Sequence, residues 1–320
     1  MELNKIYNED CLEGLKRLPN NSVDLIVTSP PYFNAREYSN WETFEGYLEN
    51  MRNILNECKR VLKNYSMIVL NVGDVLSSPD GRNSTKRKYP LGAYFTMMFE
   101  ELGMTFIDDV IWDKGEVQTK RNFVGGPYPF QKYPINCYEH ILIFRKFEKD
   151  SVKPNCPVCN KNIAVSNGIN NNTYTYECKN PECRKSKAGR GVRYSTRQIQ
   201  KLEKQLEENK IEEFLLKQFR RDIVKINPVI KINNKGENIL NHTAPFPLSI
   251  PEFAIKFFSG VGDVVLDPFM GSGTTAIAAI NTNRNYIGFE LDEEYYKASI
   301  ERINNHVKDK QIDLFEMLDN

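Results

Sequence analysis

The chain has 320 residues and a mass of 37.1 kDa, enough for one large core with an added region or for two domains. With 40% hydrophobic, 27% charged and 11% aromatic residues, its composition excludes collagen-like, low-complexity and wholly disordered proteins. No apolar run approaches the roughly 20 residues that span a bilayer. The first residues lack a basic-then-apolar secretory pattern, and seven cysteines is an odd number for a disulfide framework. We therefore expect a cytoplasmic protein without a membrane partner.

The net charge of +1 conceals an uneven distribution along the chain. Residues 146–240 carry 20 Lys and Arg against 11 Asp and Glu, an excess of +9, whereas the remainder carries 23 against 31, a balance of −8. Such asymmetry suggests a basic segment that meets a polyanion. A lysine-rich solvated surface fits the same composition.

The first 147 residues alternate apolar runs with stretches of helical periodicity. The predicted elements are, in order, a strand at 23–27, a helix at 47–62, a strand at 67–72, a helix at 91–102 ended by Gly103, and strands at 106–112 and 140–144. Strands that alternate with helices predict a layered α/β domain with a mainly parallel sheet.

From about residue 148 the chain becomes rich in Cys, Asn, Lys and Gly. Ser195 is predicted to cap a helix that runs to about Arg221, with Gln198 as its capping-box partner. After Asn241 the α/β pattern returns, with a helix at 251–258, a strand at 264–266, a helix from Thr274 and a strand at 286–289. The sequence therefore predicts that residues 148–240 are an insertion between two parts of one sheet.

A glycine-rich turn, Asp267–Thr275 (DPFMGSGTT), lies between a predicted strand and a predicted helix. Glycines let the backbone approach a ligand closely, and a helix N-terminus offers free N–H groups to an anionic group. The next strand ends in Glu290, where doubly wound folds bind ribose hydroxyls. The spacing is not G-x-G-x-x-G, and no Lys opens the helix as in a P-loop. The motif indicates a nucleoside with a modest anionic tail; the alternative is a plain strand-to-helix turn.

A second turn, Thr28–Tyr32 (TSPPY), follows the predicted strand 23–27. Its two prolines fix the backbone and remove two N–H donors. A fixed carbonyl beside the Ser29 hydroxyl makes a pair of acceptors for an amino group with two hydrogens, and the ring of Tyr32 offers a stacking face. The turn therefore predicts a nucleobase pocket at the carboxyl end of a strand, where open α/β sheets bind ligands.

Together the two turns resemble the catalytic and cofactor motifs of S-adenosylmethionine-dependent DNA amino-methyltransferases, which form N4-methylcytosine or N6-methyladenine. Their order is similar to that of the family's permuted β group, and the likeness covers residues 4–147 and 241–305. The resemblance implies a Rossmann-like methyltransferase sheet, mixed and mostly parallel. In that arrangement residues 1–147 and 241–320 form the catalytic domain, and residues 148–240 form an inserted target-recognition region, in which two cysteine pairs predict a zinc-containing module. It also implies double-stranded DNA as the partner, with a cognate restriction endonuclease as an optional functional partner.

Carried onto this sequence, the resemblance assigns catalysis to Ser29, Pro30, Pro31 and Tyr32. It places S-adenosyl-L-methionine against Asp10, Phe246, Asp267, Phe269, Gly271, Ser272, Gly273, Thr274, Thr275 and Glu290. Thr243 stands where the family's His-Pro-Ala-x-Phe-Pro element has proline, and Tyr138 is a candidate second base contact or a core tyrosine. Serine at the first catalytic position favours cytosine N4 over adenine N6 as the target.

Two other activities are alternatives. Relatives that methylate RNA or protein amides tend to carry Asn-Pro-Pro-Tyr and to lack a large insertion, so Ser29 and the basic insertion count against them. A catalytically inactive zinc-containing nucleic-acid-binding protein is the other, and the intact motifs argue against it.

Four cysteines form two close pairs inside the insertion, Cys156 with Cys159 and Cys178 with Cys183. Two such pairs joined by a short spacer fit a structural tetrahedral zinc site; the alternatives are four unrelated cysteines or a redox pair. The basic residues that follow are the predicted DNA contacts: Arg184, Lys185, Lys187, Arg190, Arg193 and Arg197. A second basic loop, residues 81–88, either borders DNA or is solvated.

Overall fold

The computed structural model describes residues 1–34, 41–77, 87–115, 137–149, 153–170, 173–183, 190–203, 207–229 and 246–318. Several sequence predictions fall outside these residues. They are the DNA contacts predicted at Arg184, Lys185 and Lys187, the motif positions 242–245, and most of the basic loop, residues 81–86.

Thirteen strands and eight α-helices are found in the described residues. The strands are β1 (Lys5–Asn8), β2 (Val23–Thr28), β3 (Leu62–Val72), β4 (Val75–Ser77), β5 (Arg87–Tyr89), β6 (Thr105–Asp113), β7 (Tyr138–Arg145), β8 (Ala164–Ile169), β9 (Tyr174–Cys178), β10 (Arg193–Ser195), β11 (Ile223–Lys225), β12 (Val264–Asp267) and β13 (Asn285–Glu290). The helices are α1 (Cys11–Lys16), α2 (Phe44–Val61), α3 (Leu91–Glu101), α4 (Thr196–Glu203), α5 (Glu213–Gln218), α6 (Ser249–Phe258), α7 (Thr274–Asn281) and α8 (Glu293–Leu318).

Eight strands form the main sheet, in the order β1-β13-β12-β2-β3-β7-β6-β11. All neighbours in this sheet are parallel except at β7, which is antiparallel to both β3 and β6. Strands β2 and β12 are adjacent, with Leu25 opposite Val265 and Ile26 opposite Leu266. The two ends of the chain therefore build one sheet, and the predicted mixed, mostly parallel α/β fold is confirmed.

The parallel strands end at one edge of the sheet, which we call the carboxyl edge; the opposite edge is the amino edge. Because β7 runs the other way, its first residues also lie at the carboxyl edge. All six residues of β2 are buried, as expected for a central strand covered on both faces. One face packs against α1, α2 and α3, and the other against α6, α7 and α8.

The predicted helix from Ser195 to Arg221 is wrong. Ser195 Oγ accepts a hydrogen bond of 3.2 Å from Gln198 N, so the predicted N-terminal cap is present. Residues 210–212, however, are not helical, and α5 is a separate short helix. The side-chain oxygen of Asn209 accepts from the backbone of Val261 at 2.7 Å, and this tertiary contact at the break competes with helix continuation.

The segment predicted as an insertion also contributes to the main sheet, because β11 pairs with β6 as its outermost strand. The indole N–H of Trp112 donates to the Ile226 carbonyl at 2.8 Å and fixes the end of this strand. The sequence interpretation also missed three elements. Strand β1 is the outermost strand on the side of the sheet away from β11, and α1 and α8 each belong to one of the two helical layers. Among the described helices, none has both the length and the apolar composition needed to cross a bilayer.

Candidate active site and cysteine cluster

The glycine-rich turn joins β12 to α7 in a conformation that needs glycine. Gly271 and Gly273 have φ angles of 53° and 78°, in the left-handed region, and Gly273 directly precedes the first residue of α7. A Cβ on Gly273 would also lie 3.1 Å from Ile303 Cδ1. Arg302 Nη1 donates to the carbonyl of Ser272 at 2.9 Å and thereby holds the turn from behind.

Asp267 connects the glycine-rich turn to β2, the strand that leads into the Ser-Pro-Pro-Tyr turn. Its Oδ1 accepts from Thr28 Oγ1 at 2.6 Å and from Phe269 N at 3.0 Å, while its Oδ2 accepts from Thr275 Oγ1 at 2.6 Å. The side chain is fully enclosed, and burial raises the pKa of this carboxyl to about 6. Thr28 and Asp267 are 239 positions apart in sequence, so this bond places the Ser-Pro-Pro-Tyr turn beside the glycine-rich turn.

Glu290 ends β13 and faces the same turn. Its Oε2 accepts from Gly271 N at 2.8 Å and its Oε1 from Asp292 N at 2.9 Å, and burial raises the pKa of the carboxyl. Asp10 lies next to it, because Asn8 of β1 is opposite Glu290. Asp10 caps α1 by accepting from Leu12 N at 2.9 Å. Asp10 and Glu290, both predicted to contact the cofactor, therefore lie at the carboxyl edge on neighbouring strand ends.

The remaining predicted cofactor residues divide into two kinds. Ser272, Thr274 and Thr275 are buried and bonded within the turn. Phe246 and Phe269 are partly buried and pack on opposite cores. Contact of any of these residues with a cofactor stays a prediction.

The Ser-Pro-Pro-Tyr turn directly follows β2. The phenol of Tyr32 donates to Glu139 Oε2 at 2.9 Å and lies 3.5 Å from Ser29 Oγ. Burial and the neighbouring Glu139 charge hold the pKa of Tyr32 well above its usual value, so the phenol remains protonated. Tyr138, the candidate second base contact, is 36% exposed at the start of β7, so the interpretation as a core tyrosine is wrong.

Sequence reasoning missed two charged residues of this site, Glu139 and Lys114. Lys114 Nζ donates to Glu139 Oε1 at 2.8 Å. The antiparallel β6–β7 pairing brings these two residues together, because it places the residue after β6 and the first residues of β7 at the carboxyl edge. The local pattern of each strand does not specify that pairing, so the sequence held no usable signal for this contact.

The four predicted cysteines come together. Their sulfur atoms all lie within 4.8 Å of one another, with Cys156 and Cys183 sulfurs 3.6 Å apart and Cys159 and Cys178 sulfurs 3.7 Å apart. A tetrahedral zinc ion with Zn–S bonds of about 2.3 Å would space its sulfurs by about 3.8 Å, so the donor set and its spacing fit zinc.

The cysteines belong to a small module, residues 153–195, built on the antiparallel sheet β10-β9-β8. It packs at the amino edge of the main sheet. Tyr174 stacks on Phe147 with ring centroids 5.5 Å apart, and its N–H donates to the Tyr65 hydroxyl at 3.3 Å. Tyr65 lies in β3 before Met67, the partner of Leu25, where the pairing is irregular near the start of β2. The module therefore lies at the edge opposite the Ser29 turn.

The predicted DNA contacts that the structure describes are Arg190, Arg193 and Arg197. Arg193 and Arg197 are exposed, and Arg193 Nε lies 3.5 Å from Glu177 Oε2. Their binding to DNA stays a prediction.

A doubly covered, mostly parallel sheet with one antiparallel strand is the sheet of a Rossmann-like methyltransferase fold, and the glycine-rich and Ser-Pro-Pro-Tyr turns both lie at its carboxyl edge. The family model described as DNA methylase, the N6/N4 methyltransferases, matches residues 23–301. The chain belongs to this family of DNA amino-methyltransferases.

Individual relatives agree with this assignment. The type II beta methyltransferase M.BslI of Bacillus sp. (strain NEB-606) is 34% identical over 303 residues, which cover 93% of this chain and 27% of M.BslI. The chain thus spans about a quarter of that protein. The orphan methyltransferase M.BamHII of Bacillus amyloliquefaciens is 28% identical over 89% of this chain and 90% of its own length.

Two solved structures share the fold. TTHA0409 of Thermus thermophilus, assigned as a DNA modification methylase and solved with S-adenosyl-L-methionine, gives a TM-score of 0.61 at 27% identity, with 94% of this chain and 95% of that one covered. The PvuII DNA methyltransferase, named as cytosine-N4-specific, gives a TM-score of 0.59 at 19% identity, covering 94% of this chain and 86% of its own.

Proposed function

We propose that the chain transfers a methyl group from S-adenosyl-L-methionine to the exocyclic amino group of a flipped-out DNA base, with cytosine N4 as the target. The observation that carries the proposal is the 2.6 Å bond between Thr28 and Asp267. This bond holds the Ser-Pro-Pro-Tyr turn next to the glycine-rich turn. If the first accepts the amino group and the second binds the nucleoside, their closeness is what methyl transfer between the two ligands needs.

The residues at the carboxyl edge fit S-adenosyl-L-methionine. Glu290 has two carboxylate oxygens at the tip of β13, where they can accept bonds from both ribose hydroxyls. The turn at Gly271 and Gly273 brings bare backbone to the same place, and it has no Lys that would favour a polyphosphate. When bound, this cofactor supplies an electrophilic methyl group on a sulfonium centre.

The turn at Ser29 can prepare the acceptor nitrogen for that methyl group. An exocyclic amino nitrogen is a weak nucleophile because its lone pair is delocalised into the ring. Hydrogen bonds from the amino group to Ser29 Oγ and the Pro30 carbonyl would hold it toward tetrahedral geometry and offset the positive charge that develops. On transfer, the amino nitrogen would bond to the methyl carbon, the sulfur would keep the pair of the broken carbon–sulfur bond, and the nitrogen would release one proton to water. Orientation by the two turns supplies much of the rate.

The base must leave the duplex to reach this turn, and Tyr32 is the ring on which we propose it stacks. Ser29 supports cytosine N4 as the target, because the family members with serine at this motif position are mostly cytosine-N4 enzymes. Adenine N6 is the second candidate, since the same two acceptors suit either amino group. We further propose a restriction-modification or other DNA-marking role, which a cognate endonuclease would accompany in the first case.

We also propose that Cys156, Cys159, Cys178 and Cys183 hold one structural zinc ion, and that residues 148–240 form the target-recognition region. Four protein ligands would fill the tetrahedral site, leaving no position for water or substrate. Arg190 and Arg197 would then contact phosphates. Because the module lies at the amino edge, these residues would contact DNA phosphates at a distance from the flipped base, and not those of the adjacent nucleotides.

The experiment compares wild type with Tyr32→Ala in transfer of a labelled methyl group to duplex DNA. Loss of one base-stacking contact, worth about 1–3 kcal/mol, should lower kcat/KM for DNA about 5- to 150-fold. The Kd for S-adenosyl-L-methionine, measured by calorimetry, should stay unchanged. Equal methylation by the variant would contradict the pocket, and no methylation by wild type would contradict the function.

A further inference from the structure

The Glu139 carboxylate binds both the Tyr32 phenol and the Lys114 ammonium group. Its Oε2 accepts from the Tyr32 phenol at 2.9 Å and its Oε1 accepts from Lys114 Nζ at 2.8 Å. The Glu139 and Lys114 side chains are only 15% and 18% exposed. Each oxygen of the carboxylate thus has one strong donor in a site partly withdrawn from water.

Several segments converge on the same phenol. Tyr32 follows β2, Glu139 is the second residue of β7, and Lys114 directly follows β6. Gly73, just beyond β3, lies beside the Glu139 side chain. A Cβ on Gly73 would lie 2.9 Å from Glu139 Cγ, so the carboxylate passes close over this backbone. The far end of the tyrosine is therefore anchored at the carboxyl edge.

A base can stack on the face of a ring that has no hydroxyl. The hydrogen bond at the Tyr32 hydroxyl is therefore not needed for stacking itself, and its effect is to orient the ring. A bond at the Tyr32 hydroxyl restricts the first side-chain torsion. Because a phenolic O–H prefers to lie in the plane of its ring, the direction of the bond to Glu139 also favours one ring plane. The ring plane is then set before a base arrives, and no ordering of the ring is left to the binding step. The ion pair with Lys114 in turn fixes the carboxylate that holds the phenol.

We propose that Glu139 is a positioning residue that fixes the plane of the Tyr32 ring for the incoming base, with Lys114 balancing its charge. This inference rests on the proposed function, because it assigns Tyr32 to stacking. Glu139 acts through Tyr32 and does not itself touch the base or the cofactor.

The test is a double-mutant cycle of Glu139→Ala and Tyr32→Phe, with methyl transfer to duplex DNA as the readout. Tyr32→Phe keeps the ring and removes its hydroxyl, so each single variant should lower kcat/KM for DNA about tenfold. The double variant should fall no further, because both changes remove the same anchor. Losses that multiply to about a hundredfold, or full activity of Glu139→Ala, would overturn the proposal.

Two controls separate positioning from damage to the fold. Glu139→Gln keeps an oxygen that can accept from the phenol, and it should recover most of the activity. Glu101→Ala, which removes an exposed ion pair with Arg52, should leave activity unchanged. All variants should bind S-adenosyl-L-methionine with the wild-type Kd; a glutamine variant as impaired as the alanine variant would count against the anchor.

A second readout does not need catalysis. In protein labelled with 3-fluorotyrosine, the Tyr32 resonance is identified by its absence from Tyr32→Phe. It should be narrow in wild type and shifted and broadened in Glu139→Ala. An unchanged resonance would overturn the positioning role even if wild type transferred no methyl group. A wild type that fails to methylate while showing the shift would instead contradict the proposed function alone.

Discussion

The buried carboxyl of Asp267 should make the free energy of unfolding depend on pH. Replacement by Asn removes the titrating group while nearly preserving the side-chain volume. The side chain is 1% exposed, and burial raises its pKa to about 6 from an ordinary 3.8. An acid with a raised folded-state pKa stabilises the protein fully below its unfolded-state pKa, and this stabilisation is lost as the pH rises through the folded-state pKa. Wild type should therefore lose stability relative to Asp267→Asn on going from acid to neutral pH.

Between pH 5 and pH 8 these two pKa values correspond to a loss of about 1.4 kcal/mol in the free energy of unfolding. The assay is urea denaturation of both proteins, followed by far-UV circular dichroism at each pH. The Asn amide cannot accept from both Thr28 and Thr275, so a constant offset between the proteins is expected. Only the change of the difference with pH tests the reasoning.

The control is Asp309→Asn, which removes an exposed carboxylate and should show no comparable change with pH. The quantity compared is the free energy of unfolding of wild type minus that of Asp267→Asn. If this difference stays constant from pH 5 to pH 8, or increases as the pH rises, then the Asp267 carboxyl does not have a raised pKa.

Three further predictions concern the packing, the cofactor and the metal. Gly14→Ala places a Cβ 2.2 Å from Cε1 of the buried Phe289 ring, so it should destabilise the fold by about 1–3 kcal/mol in urea denaturation; unchanged stability would show that the ring yields freely. Glu290→Gln weakens the proposed bonds to ribose and should raise the calorimetric Kd for S-adenosyl-L-methionine about tenfold or more, whereas an unchanged Kd would remove Glu290 from the site. Purified wild type should contain about one zinc per chain by mass spectrometry and Cys156→Ser much less, with a lower unfolding temperature; a wild type that neither contains nor takes up zinc would contradict the metal site.

Local sequence was sufficient where one pattern dominated. The apolar run at 23–27 predicted a strand, and the glycines at 271 and 273 predicted a turn between a strand and a helix. The structure has β2 and a strand-to-helix turn at these places. The order of the motifs, together with their family likeness, was enough to predict that distant parts of the chain share one sheet.

The sequence was insufficient where the local structure depends on a contact with a residue far away in the chain. One helix was predicted from Ser195 to about Arg221, but residues 210–212 are not helical, and Asn209 beside them bonds instead to the distant Val261 backbone. The Glu139–Tyr32 bond joins residues 107 apart and depends on the pairing of β7, which no local pattern specifies. The same holds for the cysteine module: its ligands could be predicted from spacing, whereas its position at the amino edge depends on a stacked pair of rings.

The central claim is that the turn at Ser29 presents an amino group to the methyl donor. Its most direct test incubates the chain with duplex DNA and S-adenosyl-L-methionine bearing a deuterated methyl group, digests the DNA to nucleosides and identifies the labelled one by mass spectrometry. We predict deuterated N4-methylcytosine. Deuterated N6-methyladenine would contradict the choice of base, and label on a ring carbon or in no nucleoside would contradict amino-group transfer itself.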